Sequence, residues 1–309
     1  MVARQRSYRY PEDFEAVGRF LGRAFPGGPH GNWHPSRWEY MHFHPLLDDR
    51  GLRDELERCG LWEQDDEIIG LVHFEDRMGV LYVQLDPRYP SLKANILPYA
   101  EKRLSGEFKI GKAVHVYIDD ADDEFQSVAA ARGFERMDPK HSEVTCRLKI
   151  PTPFPEIRVP EGFRLKSLAD DFDVAKVHRV MHRGFNHEGE PPEDELEDRR
   201  RKLSAPSLRR DLTIVAEALD GEFVSFSGTW MDSAIPVCYV EPVATDPDYR
   251  RIGLGTAVVL EGIRRCAAEG ATTAYVGSDQ EFYKSMGFVE CQSQSLWRKV
   301  LQPAERASP

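Results

Sequence analysis

The stretch DPDYRRIGLGT, Asp246–Thr256, places two arginines and two glycines within the six residues Arg250–Gly255, ahead of a run with helical periodicity. Gly253 and Gly255 remove side chains where a helix begins, so a ligand can approach the unpaired N–H groups of its first turn. Those donors, the positive end of the helix dipole and the charges of Arg250 and Arg251 together suit an anion, above all a phosphate. Taken alone, the same residues are also an ordinary turn. The spacing GxxxxGK[ST] of a phosphate-binding loop is missing, and GxGxxG is incomplete, which disfavours a dinucleotide fold. A second concentration of reactive side chains is HGNWHPSRWEYMHFHP, His30–Pro45, with histidines at H-x3-H and H-x-H spacing. Zinc sites can have such spacings. No cysteine pair or HExxH accompanies them, so the expectation is no metal and a long loop packed by its rings against the other domain. Cys59, Cys146, Cys238, Cys266 and Cys291 are odd in number and contain no CxxC, which reads as reduced thiols.

The glycine turn must be held by the elements beside it. VCYVEPVAT before it has strand composition, and GTAVVLEGIRRCAAEG after it has helical spacing, with Val259, Leu260, Ile263 and Ala267 inward. Glu261, Arg264 and Arg265 are then left for solvent, and Gly270 stops the helix.

VATDPDYRRIGLG resembles the V-x-x-x-P-x-[YH]-R-x-x-G-[IL]-G signature of the GCN5-related N-acetyltransferases, and EFYKSMGF, Glu281–Phe288, resembles that family's second landmark. The resemblance covers residues 163–300. It implies a splayed mixed sheet that binds acetyl-CoA as acyl donor. The pyrophosphate would rest on the amides of Arg251, Ile252, Gly253, Leu254, Gly255 and Thr256, beside Arg250, and the pantetheine would pair with the backbone of Val243, Ala244 and Thr245. It also implies that the Tyr283 hydroxyl is the general acid for the departing thiolate and that the N–H near Val243 holds the oxyanion. Glu241, two residues before Val243, is the candidate base; it would equally suit a substrate cation or an ordered water. Strand alternation sets it on one face with Tyr239, Val243 and Thr245, and sets Cys238 on the other, away from nucleophilic chemistry. The implied reaction is transfer of an acetyl group to a primary amine in a ternary complex. A non-catalytic acyl-CoA-binding sensor and a mycothiol synthase-like acetyltransferase are the alternatives.

The chain is also written twice. DFEAVGRFLGRAF (Asp13–Phe25) lies over DVAKVHRVMHRGF (Asp173–Phe185) at a shift of 160 residues, with five of thirteen positions identical, and DPRY (Asp86–Tyr89) lies over DPDY (Asp246–Tyr249) at the same shift. This predicts two similar domains in tandem. Each is α/β, a splayed, mostly antiparallel mixed sheet flanked by helices: residues 1–150, a proline-bearing linker 151–162, residues 163–300 and a tail 301–309. At that shift Lys93 and Asn95 replace Gly253 and Gly255 and Pro98 interrupts the helix; counted four back from the GF of each half, Ala129 stands where the second half has Tyr283. The first half thus reads as a degenerate copy, structural or substrate-shaping, and the second as the catalytic one. The loop FNHEGEPPEDELEDRRRK, Phe185–Lys202, falls where this fold lines its acceptor site. Its acidic run suits a cationic amine, or simply forms a solvated face.

The bulk numbers agree. A chain of 309 residues with 41% hydrophobic and 30% charged residues can bury two cores. A formal net charge of −11 argues against nucleic acid as partner. The opening MVARQRSYRY has no apolar segment, so a cytoplasmic protein without membrane attachment is expected. The sequence leaves the acceptor amine, and the choice between monomer and homodimer, open.

Overall fold

The computed structural model describes residues 3–25, 31–231 and 235–303. They fall into two compact units, Met1–Val144 with Gln292–Pro309, and Thr145–Cys291.

In the second unit the sheet runs in the order Arg164–Ser167, Ile214–Glu217, Phe223–Met231, Val237–Thr245, Thr273–Val276, Glu143–Lys149 (the last from Thr145 on). Neighbours are antiparallel except Val237–Thr245 and Thr273–Val276, which are parallel. A parallel pair needs a crossover, and helix Leu254–Ala268 supplies it. The helix Val174–Gly184 covers one face, burying Val177, Val180 and Met181 against Phe226 and Ala244. Leu254 and Val258 of the crossover helix pack on Ile214, Ala216 and Val224. Glu261, expected in solvent, is 8% exposed, because Arg264 and Arg265 fold back along the helix and donate to its carboxylate.

The first unit repeats this order with Arg4–Ser7, Gly60–Gln64, Glu67–Phe74, Val80–Leu85, Gly111–Asp119 and the end of the chain, Val289–Pro303 (from Gln292 on). Its parallel pair is Val80–Leu85 with Gly111–Asp119. The repeat extends to single bonds. Asp86 and Asp246 each accept from the amide two residues on, at 2.9 and 3.0 Å, and their carbonyls accept from Tyr89 and Tyr249, both at 2.9 Å.

The histidine-rich segment is a helix over Pro35–Phe43 and not a long loop. Pro35 has the φ and the dispensable N–H of a first helical residue, and the His34 ring caps the Ser36 amide. Trp38 and Met41 enter the core of the first unit, and His42 is bonded to the Tyr8 hydroxyl and the Trp38 carbonyl. Burial pushes His34 and His42 down to about 3, so both are neutral at pH 7. His30 lies outside the described residues. Among the described residues no helix is long and apolar enough to cross a membrane, and no group of three His, Cys, Asp or Glu side chains is arranged to hold a metal ion.

Candidate active site

The site begins where two parallel strands part. Val237, Cys238 and Tyr239 pair with Thr273, Ala274 and Tyr275, and the pairing ends there. On its other edge Val237–Thr245 continues along Phe223–Met231, but the register slips: Ser227 faces Val243 while Thr229 faces Val240. One extra residue is therefore held at Glu241–Pro242, a bulge. A side chain at Gly228 would meet the Glu241 carbonyl oxygen at 2.4 Å, so only glycine fits opposite. The Trp230 indole donates to that same oxygen at 2.7 Å.

The bulge corrects the face assignment made from alternation. Tyr239 is opposite Trp230 and Val243 opposite Ser227. Trp230 and Ser227 are of opposite parity on one strand, so Tyr239 lies on the opposite face from Val243 and Thr245. Cys238, opposite Met231, shares the face of Val243 and Thr245 and is fully buried. Glu241 sits in the bulge itself, near enough to Tyr283 for its carboxylate to act on that phenol.

Past the split, the strand presents an unpaired edge. The Asp246 amide bonds Val224 of the neighbouring strand at 3.0 Å. Peptide groups alternate along a strand, so those of Thr245 and Val243 point the other way, toward the open side. That side is a cleft of about 890 Å³, lined by Val243, Ala244 and Thr245, by the turn from Arg250 and Arg251 through Gly253–Thr256, and by Phe282 and Tyr283. Gly253 has φ +98° and precedes the helix directly; Arg251 has φ +66°. No atom lies within 4 Å of where a Cβ at Gly253 would point, so the space beside the first helical turn is open. A Cβ at Gly255 would press on Thr245 Oγ1 and Phe282 at 3.1–3.2 Å.

The predicted cradle is thus mostly assembled around one cleft, with three differences. Arg250 spends its guanidinium on the carbonyls of Thr245 (3.0 Å) and Gly184 (2.8 Å), bracing strand, turn and helix. Ile252 is 48% exposed and lines a separate groove, and Glu241 does not line the cleft. Tyr283 is 8% exposed, in edge contact with Phe282 and Phe288. Burial, and then the Glu241 carboxylate, push its phenol up to about 12.

Several contributors were not anticipated. Gly184 lines the cleft because a Cβ there would meet Ala244 Cβ at 2.6 Å. Beside it Asp246, 1% exposed, accepts from both arms of the Arg183 guanidinium. Burial pushes the Asp246 carboxyl up, but Arg183 and the Asp248 amide outweigh this and hold it below the usual range. The repeat carried the signal, since it sets Arg23 over Arg183 and Asp86 over Asp246. From the acidic loop, Phe185 and Asn186 line the cleft, while its carboxylates turn outward.

In the first unit the corresponding edge is filled. Asn32, 4% exposed, accepts from the Leu85 amide at 2.7 Å and donates to the Leu85 carbonyl at 2.9 Å. Leu85 is the counterpart of Thr245. Lys93, counterpart of Gly253, has φ −49° and pairs its ammonium with Asp122 and Glu124, both at 2.9 Å.

A splayed mixed sheet with a glycine turn at the crossover helix defines an acyltransferase-like class of fold, and comparison with known proteins makes it specific. Residues 175–288, which lie in the second unit, match the Acetyltransferase (GNAT) family model. A mycothiol acetyltransferase of Thermomonospora curvata is 28% identical over 171 residues, which are 52% of this chain and 55% of that protein, so the match spans about half the relative's length. A GCN5-related N-acetyltransferase structure from Sphaerobacter thermophilus aligns over 98% of this chain and 97% of its own, with 17% identity and a TM-score of 0.59. A tandem GNAT protein from the clavulanic acid biosynthesis pathway aligns over 98% and 100%, with 11% identity and a TM-score of 0.60. At these identities the two structures establish the fold, a tandem of GNAT-like units.

Proposed function

We propose that the chain is an acetyl-CoA-dependent N-acetyltransferase with one working site, in the second unit, acting on a small-molecule primary amine. The observation that carries this reading is the strand edge left open at Val243 and at the Thr245 amide, whose carbonyl Arg250 holds, running into the left-handed turn at Gly253. An extended amide-bearing chain pairs with the first as an added strand would, and a pyrophosphate suits the second. The residues present fit that donor.

The Val243 amide is placed to hold the carbonyl oxygen as its charge develops. The neutral amine forms the new C–N bond as the C–S bond breaks. Tyr283, still protonated at neutral pH, gives its proton to the departing thiolate. Glu241, through water because it stands outside the cleft's lining, takes the proton lost by the amine, and Tyr283 regains its own from solvent. The products are the N-acetylated amine and free CoA. The relatives named mycothiol acetyltransferase favour, as a second reading, a mycothiol synthase-like enzyme.

The test is calorimetry with acetyl-CoA, followed by an amine screen that monitors thiol release. One site per chain is expected, abolished by Gly253→Asp, which puts a carboxylate into the cradle on a strained backbone, and unaffected by Lys93→Ala. Binding without amine-dependent thiol release would favour a sensor. No binding by the wild type would end the donor assignment.

A further inference from the structure

A second groove, of about 490 Å³, opens on the other side of the same turn. One wall is the segment Ile157–Pro160 within the proline-bearing stretch; the other is a face of the crossover helix, with Ile252, Thr256 and Leu260. Gly253 and Thr256 line both this groove and the main cleft, so the first turn of the helix is a seam shared by the two. Ile252 and Val159 stand half-exposed along it and give it an apolar lining. Arg158 lines the groove and Arg251 lines the cleft, and neither has a carboxylate partner among the described residues. Glu156 is the carboxylate on the groove's wall.

We infer that this groove takes the adenosine 3′-phosphate end of the acyl-CoA donor, with the purine against Ile252 and Val159 and the 3′-phosphate on Arg158. The inference rests on the donor reading above. A pyrophosphate held on the Gly253–Thr256 amides sits at the seam, with the pantetheine leaving along Val243–Thr245. The nucleotide arm then has two ways out. Toward Phe282 and Ser285 it meets Glu281, and Lys284 beside them is engaged with Glu281 at 3.5 Å, while Arg251 stands back at the turn, within reach of the pyrophosphate. Toward the proline-bearing segment it meets apolar side chains and an uncommitted guanidinium, which matches a flat purine and a phosphate dianion. The segment then serves as a nucleotide wall as well as a connector.

The test compares Kd for acetyl-CoA and acetyl-3′-dephospho-CoA on the full chain, wild type, Arg158→Ala and Lys284→Ala. The wild type should bind acetyl-CoA about tenfold more tightly, as one charge-assisted contact supplies. Arg158→Ala should remove that preference by weakening acetyl-CoA alone, and Lys284→Ala should keep it. The assignment is overturned if the wild type does not distinguish the two donors, if Arg158→Ala weakens both equally or neither, or if Lys284→Ala is the change that erases the preference. In each of these outcomes acetyl-CoA still binds. Loss of all acetyl-CoA binding by the wild type is the separate failure of the donor reading.

Discussion

Tyr283 is in edge contact with two phenylalanine rings, beside a carboxylate, and both influences keep its proton on. A general acid must still hold its proton when the amine has lost its own, and a phenol pushed up to about 12 meets that demand across the range where amines become nucleophilic. Two outcomes follow. Tyr283→Phe should lower kcat by roughly a hundredfold, the lower end for proton-transfer catalysis, with KM for acetyl-CoA little changed. In the wild type, log kcat should show no falling limb between pH 7 and about 10, because an ordinary tyrosine titrates near 10 and this one above it. Steady-state kinetics across that range checks both. A falling limb below pH 10, or full activity in the phenylalanine variant, would take Tyr283 out of the chemistry.

At the scale of elements, the bulge and the clamp beside it decide where the open edge lies. Gly228→Ala would drive a methyl group into the Glu241 carbonyl, which the Trp230 indole holds in place. The register should shift, and acetyl-CoA binding should fall tenfold or more while the far-UV circular dichroism is retained. Asp246→Asn should cost roughly 2 kcal/mol in urea unfolding at pH 7, the range for hydrogen bonds to a charged group. Its folded pKa is depressed, so this contribution is complete above the unfolded value near 4 and is lost as pH falls through the folded one. Wild type and variant should therefore converge below about pH 4, where a gap unchanged down to pH 2 would rule out the ion pair as its source. These elements also mark what the sequence could say. The glycine turn was legible because it is a contiguous motif whose geometry follows from residue type, and Tyr283 was singled out only through the family resemblance of the segment around it. The bulge was not, because alternation assumes one residue per partner; Pro242, unable to donate to a ladder, was the signal against it. Nor was the pairing of Glu143–Lys149 with Thr273–Val276 legible, since strand composition fixes a face and not a distant partner.

For the whole molecule, the question is how many donors one chain holds. Duplication would give two, yet the first unit differs from the second at each point that makes a site. Its strand edge is saturated by the Asn32 side-chain amide, which meets both the N–H and the C=O of Leu85 as a neighbouring strand would. Trp33, next in the chain, bonds the Gln84 side chain at 2.7 Å and seals the same stretch. The backbone at Lys93 is right-handed where Gly253 is left-handed, and its cation is taken by two carboxylates. Removing the plug alone should not create a site, because the turn would still lack its open amides. Asn32→Ala should therefore leave calorimetric stoichiometry at one acetyl-CoA per chain while lowering stability by roughly 2 kcal/mol, the cost of the side chain's bonds to Leu85 and Ala24. Two sites in the wild type would show that Asn32 yields to the donor. A second site appearing only in Asn32→Ala would show that the side chain, and not the missing glycines, is what closes the first copy.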